Sequence, residues 1–192
     1  MDYIFNYCSS LKLLKIDKID TSKVTKMDYM FYRCALNVSN FNNTKVKMMN
    51  KMFRFFCSLT PSDLSNFDTF EVSTMSYMFQ ICKTLTSLSI SFFDTSKLNN
   101  MEYMFYGCSS LISFNLSNFD TLKVERMNYM FSKCSLITSL NISNFDTSKV
   151  TNMEYMLYYA SSLASLDLYN NNTSNVNNMI DSLTSLNLFK SI

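Results

Sequence analysis

Methionine returns to the same place in this chain at a fixed interval. Met1, Met27, Met49, Met75, Met101, Met127, Met153 and Met179 stand 26 residues apart, except for 22 between Met27 and Met49. A chain written in copies of one short unit is satisfied by an architecture in which each copy packs on the next. The clear units, 75–100, 101–126 and 127–152, give the consensus M-x-Y-M-F-x-x-C-S-S-L-x-S-L-x-L-S-N-F-D-T-S-K-V-x-x. Because Met1 opens a unit, residue numbers 1–26 double as unit positions. One array of seven to eight units follows: 1–26, 27–48, 49–74, 75–100, 101–126, 127–152, 153–178 and a partial 179–192.

Each unit changes hydrophobic period part-way. Leu111, Phe114 and Leu116 form L-x-x-L-x-L and end in period-two alternation, the mark of a short strand. Leu85, Leu88 and Ile90, Ile137, Leu140 and Ile142, and Leu163, Leu166 and Leu168 repeat it. Val124, Met127, Met130, Phe131 and Cys134 are spaced to share one face of a helix. The predicted fold class is an α/β solenoid, leucine-rich-repeat-like, with one parallel β-sheet on one face and short helices on the other.

Composition removes several functions. With no His there is no imidazole base, and a single glycine, Gly107, cannot build a phosphate cradle. One Gly and one Pro in 192 residues also mean that the turns rest on some other recurring chemistry. Nearly every acidic residue falls in a repeated column or on the exposed helix side, as Glu102 and Glu154 do, without a convergent acid, base and nucleophile. No enzyme, cofactor or metal site is expected. A net charge of +2 gives no reason to expect nucleic acid. No apolar run approaches the roughly 20 residues that span a bilayer, so no membrane insertion by this segment is expected. Met1 to Asn6 lack the basic and apolar regions of a secretory signal.

Fourteen of the 15 Met occupy positions 1 and 4, Met48 being the other, and fit a core ladder better than a metal site. Cys8, Cys34, Cys82, Cys108 and Cys134 fill position 8, where Phe56 and Ala160 also occur. That mixture favours free buried thiols over bridges between neighbouring units. Asp20, Asp68, Asp94, Asp120 and Asp146, continued by Asn42 and Asn172, read as helix N-caps rather than calcium ligands. Lys23, Lys45, Lys97, Lys123 and Lys149 lie beside them. Phe41, Phe67, Phe93, Phe119 and Phe145 suggest an inward aromatic spine, joined by Ile19 and ended by Asn171.

Two surfaces are candidates for binding. The exposed side of the strands carries Ser87, Ser89, Ser91, Ser113, Asn115, Ser117, Ser139, Asn141 and Ser143, with Asp167 toward one end. Lys15, Asp17 and Tyr169 modify the ends of this small, uncharged face. The alternative is the helix side, where Tyr29, Tyr77, Tyr103, Tyr129 and Tyr155 recur with Tyr3. These rings either stack laterally between adjacent helices or dock a sugar or protein. Asn37-Val38-Ser39, Asn115-Leu116-Ser117 and Asn141-Ile142-Ser143 match a glycosylation acceptor, a pattern the repeat produces by itself.

The units resemble the leucine-rich repeats of the BspA-like bacterial and protist surface proteins. Asn144 to Met156 and Phe93 to Leu111 carry the resemblance most closely, and it extends over essentially the whole chain. It departs at Phe56 and Ala160, in the shortened second unit and in the truncated last one. The resemblance implies a non-catalytic adhesion or binding module at the cell surface or secreted, with a protein or glycan ligand. An intracellular protein-interaction scaffold or structural spacer is the alternative. Neither end shows a polar cap, although Lys12, Lys15 and Lys18 charge the first strand. A segment of a longer array, or end-to-end self-association, is therefore expected.

Overall fold

The computed structural model describes residues 1–11, 14, 20–34, 43–56, 64, 67–88, 90–168 and 179, the side chains of Ser113 and Phe114 excepted. Four short strands are present among them: β1 (Ser87–Leu88), β2 (Ser113–Phe114), β3 (Ser139–Asn141) and β4 (Ser165–Asp167). β1 pairs with β2 and β3 with β4, both in parallel. The register puts Ser87 opposite Ser113 and Leu140 opposite Leu166, each residue facing its own equivalent one unit on. Along β3 the alternation is visible in burial, with Ser139 and Asn141 exposed and Leu140 inside.

A second parallel ladder runs along another edge of the stack. Single bridges join Lys26 to Met48, Met48 to Thr74, Thr74 to Asn100, Asn100 to Arg126 and Arg126 to Asn152. The short second unit keeps this register. Its missing residues fall between Cys34, which is buried, and Asn43, whose amide donates to the Asp68 carbonyl with normal unit-to-unit alignment.

The expected helices do not form. Among the described residues there is no α-helix, and the face opposite the strands is a run of turns. Nor is there one continuous sheet: the described strands make two separate pairs. The backbone shows why. Position 3 of every described unit lies in the left-handed region: Tyr3, Tyr29, Lys51, Tyr77, Tyr103, Tyr129 and Tyr155, all at φ between 54° and 61°. So does position 7: Tyr7, Arg33, Phe55, Ile81, Gly107, Lys133 and Tyr159. A positive φ at the third residue of four is what a type II turn requires, and it ends any right-handed helix on the spot.

The amides are then shared between two directions. Even positions close turns within the unit, as in Met104 N–H to Met101 O at 3.2 Å and Cys108 N–H to Phe105 O at 3.1 Å. Odd positions donate to the next unit, as in Tyr103 N–H to Asn128 O at 3.0 Å and Phe105 N–H to Met130 O at 2.9 Å. Left-handed backbone costs a non-glycine residue about 1–2 kcal/mol. Pairing the odd amides along the stack and burying the side chains between them offset it.

What they bury is one continuous interior. Met101, Met104, Phe105 and Cys108 are fully inside, as are their equivalents in the neighbouring units. Phe5, Phe31, Phe53, Phe79, Phe105 and Phe131 stack along the axis at 5.5–5.8 Å, their planes within 14°. Phe67, Phe93, Phe119 and Phe145 are also buried, and the last two stack at 6.4 Å. Phe41, Ile19, Asn171, Lys12, Lys15, Asp17, Lys18 and Tyr169 lie outside the described residues. Among the described residues no helix is long and apolar enough to cross a membrane.

Candidate functional site

On the strand side, Ser87, Ser91, Asn115, Ser117, Ser139, Asn141 and Asp167 are exposed and Ser143 is half-buried. Ser89 and the Ser113 side chain lie outside the described residues. Ser165 of β4 continues the serine row and was legible from the same position in the unit. A shallow depression of about 160 Å³ is lined by Asn115, Leu116, Ser117, Asn141, Ser143 and Asn144. Its polar groups are already engaged. Asn115 Oδ1 accepts the Ser117 amide at 2.9 Å, and Asn141 Oδ1 accepts the Ser143 amide and hydroxyl at 3.0 and 2.7 Å. Asn144 Nδ2 donates to the Leu116 and Phe119 carbonyls, both at 3.1 Å. These amides end the strands and tie units together. Of the glycosylation patterns, Asn37-Val38-Ser39 lies outside the described residues.

The aspartates are not helix caps, there being no helix to cap. Asp20, Asp68, Asp94, Asp120 and Asp146 each accept the amide two residues on, which is an Asx turn. The Ser22, Ser96 and Ser148 hydroxyls, then their amides, hold the carboxyls of Asp20, Asp94 and Asp146 below the ordinary value. Asn42 and Asn172 lie outside the described residues. Behind the aspartates runs a ladder that the composition did not announce. Thr69, Thr95 and Thr121 are buried, and each hydroxyl donates at 3.0 Å to the carbonyl of the next unit's aspartate. Cys8, Cys34, Cys82, Cys108 and Cys134 are free thiols. Cys82, Cys108 and Cys134 donate to the phenylalanine carbonyl of the preceding unit at 3.0–3.1 Å. No three of His, Cys, Asp and Glu converge among the described residues.

The tyrosines lie on turns, not helices, and the left-handed backbone at position 3 aims them sideways at one another. Tyr3 stacks on Tyr29, Tyr77 on Tyr103 and Tyr103 on Tyr129, each at 4.6 Å, and Tyr129 on Tyr155 at 5.0 Å. Ring faces inside the ladder are therefore occupied, and edges and hydroxyls are what Tyr29, Tyr77, Tyr103, Tyr129 and Tyr155 offer outward. Burial, with neighbouring phenols adding to it, pushes the Tyr103 hydroxyl up to about 12.

The ladder is interrupted once. Lys51 takes position 3 in the third unit, its Nζ 4.8 Å from the centroids of both Tyr29 and Tyr77, so a cation replaces the missing ring. It also donates to the Tyr29 hydroxyl at 2.6 Å. Beside it, Arg33 lies 5.2, 5.6 and 4.9 Å from the rings of Tyr7, Tyr32 and Phe55. Arg54 lies 5.7 and 5.0 Å from Tyr32 and Phe55. The ion pairs of the described residues are the Met1 terminus with Asp2 and Lys97 with Glu71 at 2.6 Å. Neither involves Arg33, Lys51 or Arg54. Sequence reading missed this cluster, although lysine in an otherwise tyrosine column was the available signal.

The model of one protein family matches residues 1–111 and again 82–192, described as Mycoplasma protein of unknown function, DUF285. The chain belongs to this family. That one DUF285 model can be laid on two overlapping stretches follows from the repeat, which offers it more than one register. No curated protein and no solved structure matches the chain.

Proposed function

We propose that this DUF285 chain is a non-catalytic binding module, acting at the cell surface or after secretion, whose contact surface is the tyrosine-bearing turn face. The observation that carries this reading is the group of three cations, Arg33, Lys51 and Arg54, held over aromatic rings with no carboxylate paired to them among the described residues. Aromatic rings and arginine are the side chains that most often anchor an interface. The strand face offers small side chains whose amide oxygens are already bonded, which makes it the poorer surface. Resemblance to the BspA-like surface proteins supports the adhesive role and the location.

A glycan and host-protein array, probed with the protein displayed at high density, tests this. Binding is expected to fall when Tyr7→Ala and Tyr32→Ala are combined, and to survive Asn115→Lys with Asn141→Lys. Loss with the asparagine pair alone would return the site to the strands.

A further inference from the structure

Building on the proposed turn-face site, we infer that its ligand is an acidic glycan: a sugar chain bearing sulfate or carboxylate groups. Arg33, Lys51 and Arg54 belong to two consecutive units and are linked through rings: Arg33 and Arg54 both lie over Tyr32 and Phe55, and Tyr32 packs on Tyr29, over which Lys51 sits. The acids of the same turns are turned to other work. Asp28 Oδ1 accepts the Asn50 amide at 2.7 Å, and Asp2 Oδ1 accepts the Asp28 amide at 3.1 Å. Three cations thus stand against the two carboxylates Asp2 and Asp28, neither of them ion-paired with Arg33, Lys51 or Arg54, in a chain whose net charge is only +2.

Hydrogen bonding separates a sugar from a plain anion. Arg54 Nε and Gln80 Oε1 are buried and lack partners. They come from position 6 of neighbouring units, and Gln80 is only 5% exposed. One is a donor and the other an acceptor. A hydroxyl satisfies both, accepting from Arg54 and donating to Gln80, whereas a carboxylate or sulfate satisfies Arg54 alone. Arg54 as a residue is half-exposed, and its Nε, closed off from solvent here, reaches a ligand seated on the rings when the head turns outward. Tyr7, 58% exposed, supplies apolar surface for the sugar's C–H face, beside the Tyr32 and Phe55 rings that Arg33 and Arg54 cover. Anion, hydroxyl and apolar face together describe a uronic acid or a sulfated sugar better than an acidic peptide.

The test measures binding of a sulfated glycosaminoglycan octasaccharide, its desulfated counterpart and a polyglutamate peptide of matched charge. The octasaccharide is expected to bind best, with affinity falling as salt rises. Combining Arg33→Gln, Lys51→Gln and Arg54→Gln is expected to cost roughly tenfold or more. Combining Lys23→Gln, Lys123→Gln and Lys149→Gln removes equal charge elsewhere and is expected to change binding less than about twofold. Lys51→Tyr restores the ladder consensus, so it removes a cation while keeping the fold, and a loss of about threefold is expected. Equal losses in the two triple variants, or preference for polyglutamate, would overturn the inference. Failure of every probe, while array binding still depends on Tyr7 and Tyr32, would discard the acidic sugar and leave the turn-face site standing.

Discussion

At the scale of single residues, the feature that matters most is φ at positions 3 and 7. Ile81 holds φ at 59°, where a β-branched side chain is least at ease, while the one glycine of the chain holds φ at 70° in the same column of the next unit. Ile81→Gly is expected to stabilise the fold by about 1 kcal/mol, seen as a raised urea midpoint. Gly107→Ala is expected to lose about as much, and its new Cβ would meet Ile81 Cγ1 at 3.2 Å. The two changes touch, so the loss should shrink when they are combined. Titration offers a second check. Burial holds the Tyr103 phenol and the Cys108 thiol at about 12, against ordinary values of 10.0 and 9.0. Both favour the neutral form in the folded state. Their contribution is complete below the ordinary values and is lost as pH rises through the raised ones. Denaturant midpoints measured from pH 8 upward should fall through this window, with late phenolate absorbance. A flat profile would show these groups to be solvated.

At the scale of the element, sequence and structure agree about which residues go inside and disagree about the backbone that puts them there. Positions 1, 4, 5 and 8 are buried as a helix would bury them, because two consecutive turns of four residues place side chains at the same offsets. Periodicity cannot distinguish the two. The discriminating fact is where the odd amides point, and they point to another unit, which no single window of sequence contains. The strands were legible because alternation at Leu140 and its neighbours has one reading. The Phe79, Phe105 and Phe131 stack was visible only as apolar residues, since ring-on-ring contact depends on the unit spacing. Phe105→Ala should cost about 3–5 kcal/mol in chemical denaturation. Thr95→Val preserves shape but leaves the Asp120 amide, 2.7 Å from Thr95 Oγ1, without its acceptor. A cost of about 1–3 kcal/mol is expected.

For the whole molecule, the repeat makes the array divisible by whole units, from one bridge position to the next. Deleting 101–126 brings Tyr77 against Tyr129 and Phe79 against Phe131. It should leave a folded chain, less stable by roughly one unit and its interface. Deleting 101–113 shifts every column and should abolish cooperative unfolding by circular dichroism. Of the candidate surface, the tyrosine row could be read from the sequence. Lys51 was legible as a lysine in that tyrosine column, but Arg33 and Arg54 were not, because they sit in other columns and come over the same rings only after stacking.

The odd amides carry one mechanical consequence. Those of each turn segment reach forward to the next, so the bonds joining neighbours lie along the length of the molecule and in line with a pull on its two ends. Under such tension the links are loaded a few at a time, and the chain should yield as a zip does, copy after copy at modest force. A tether built this way would pay out slack in instalments and reseal when the load passes.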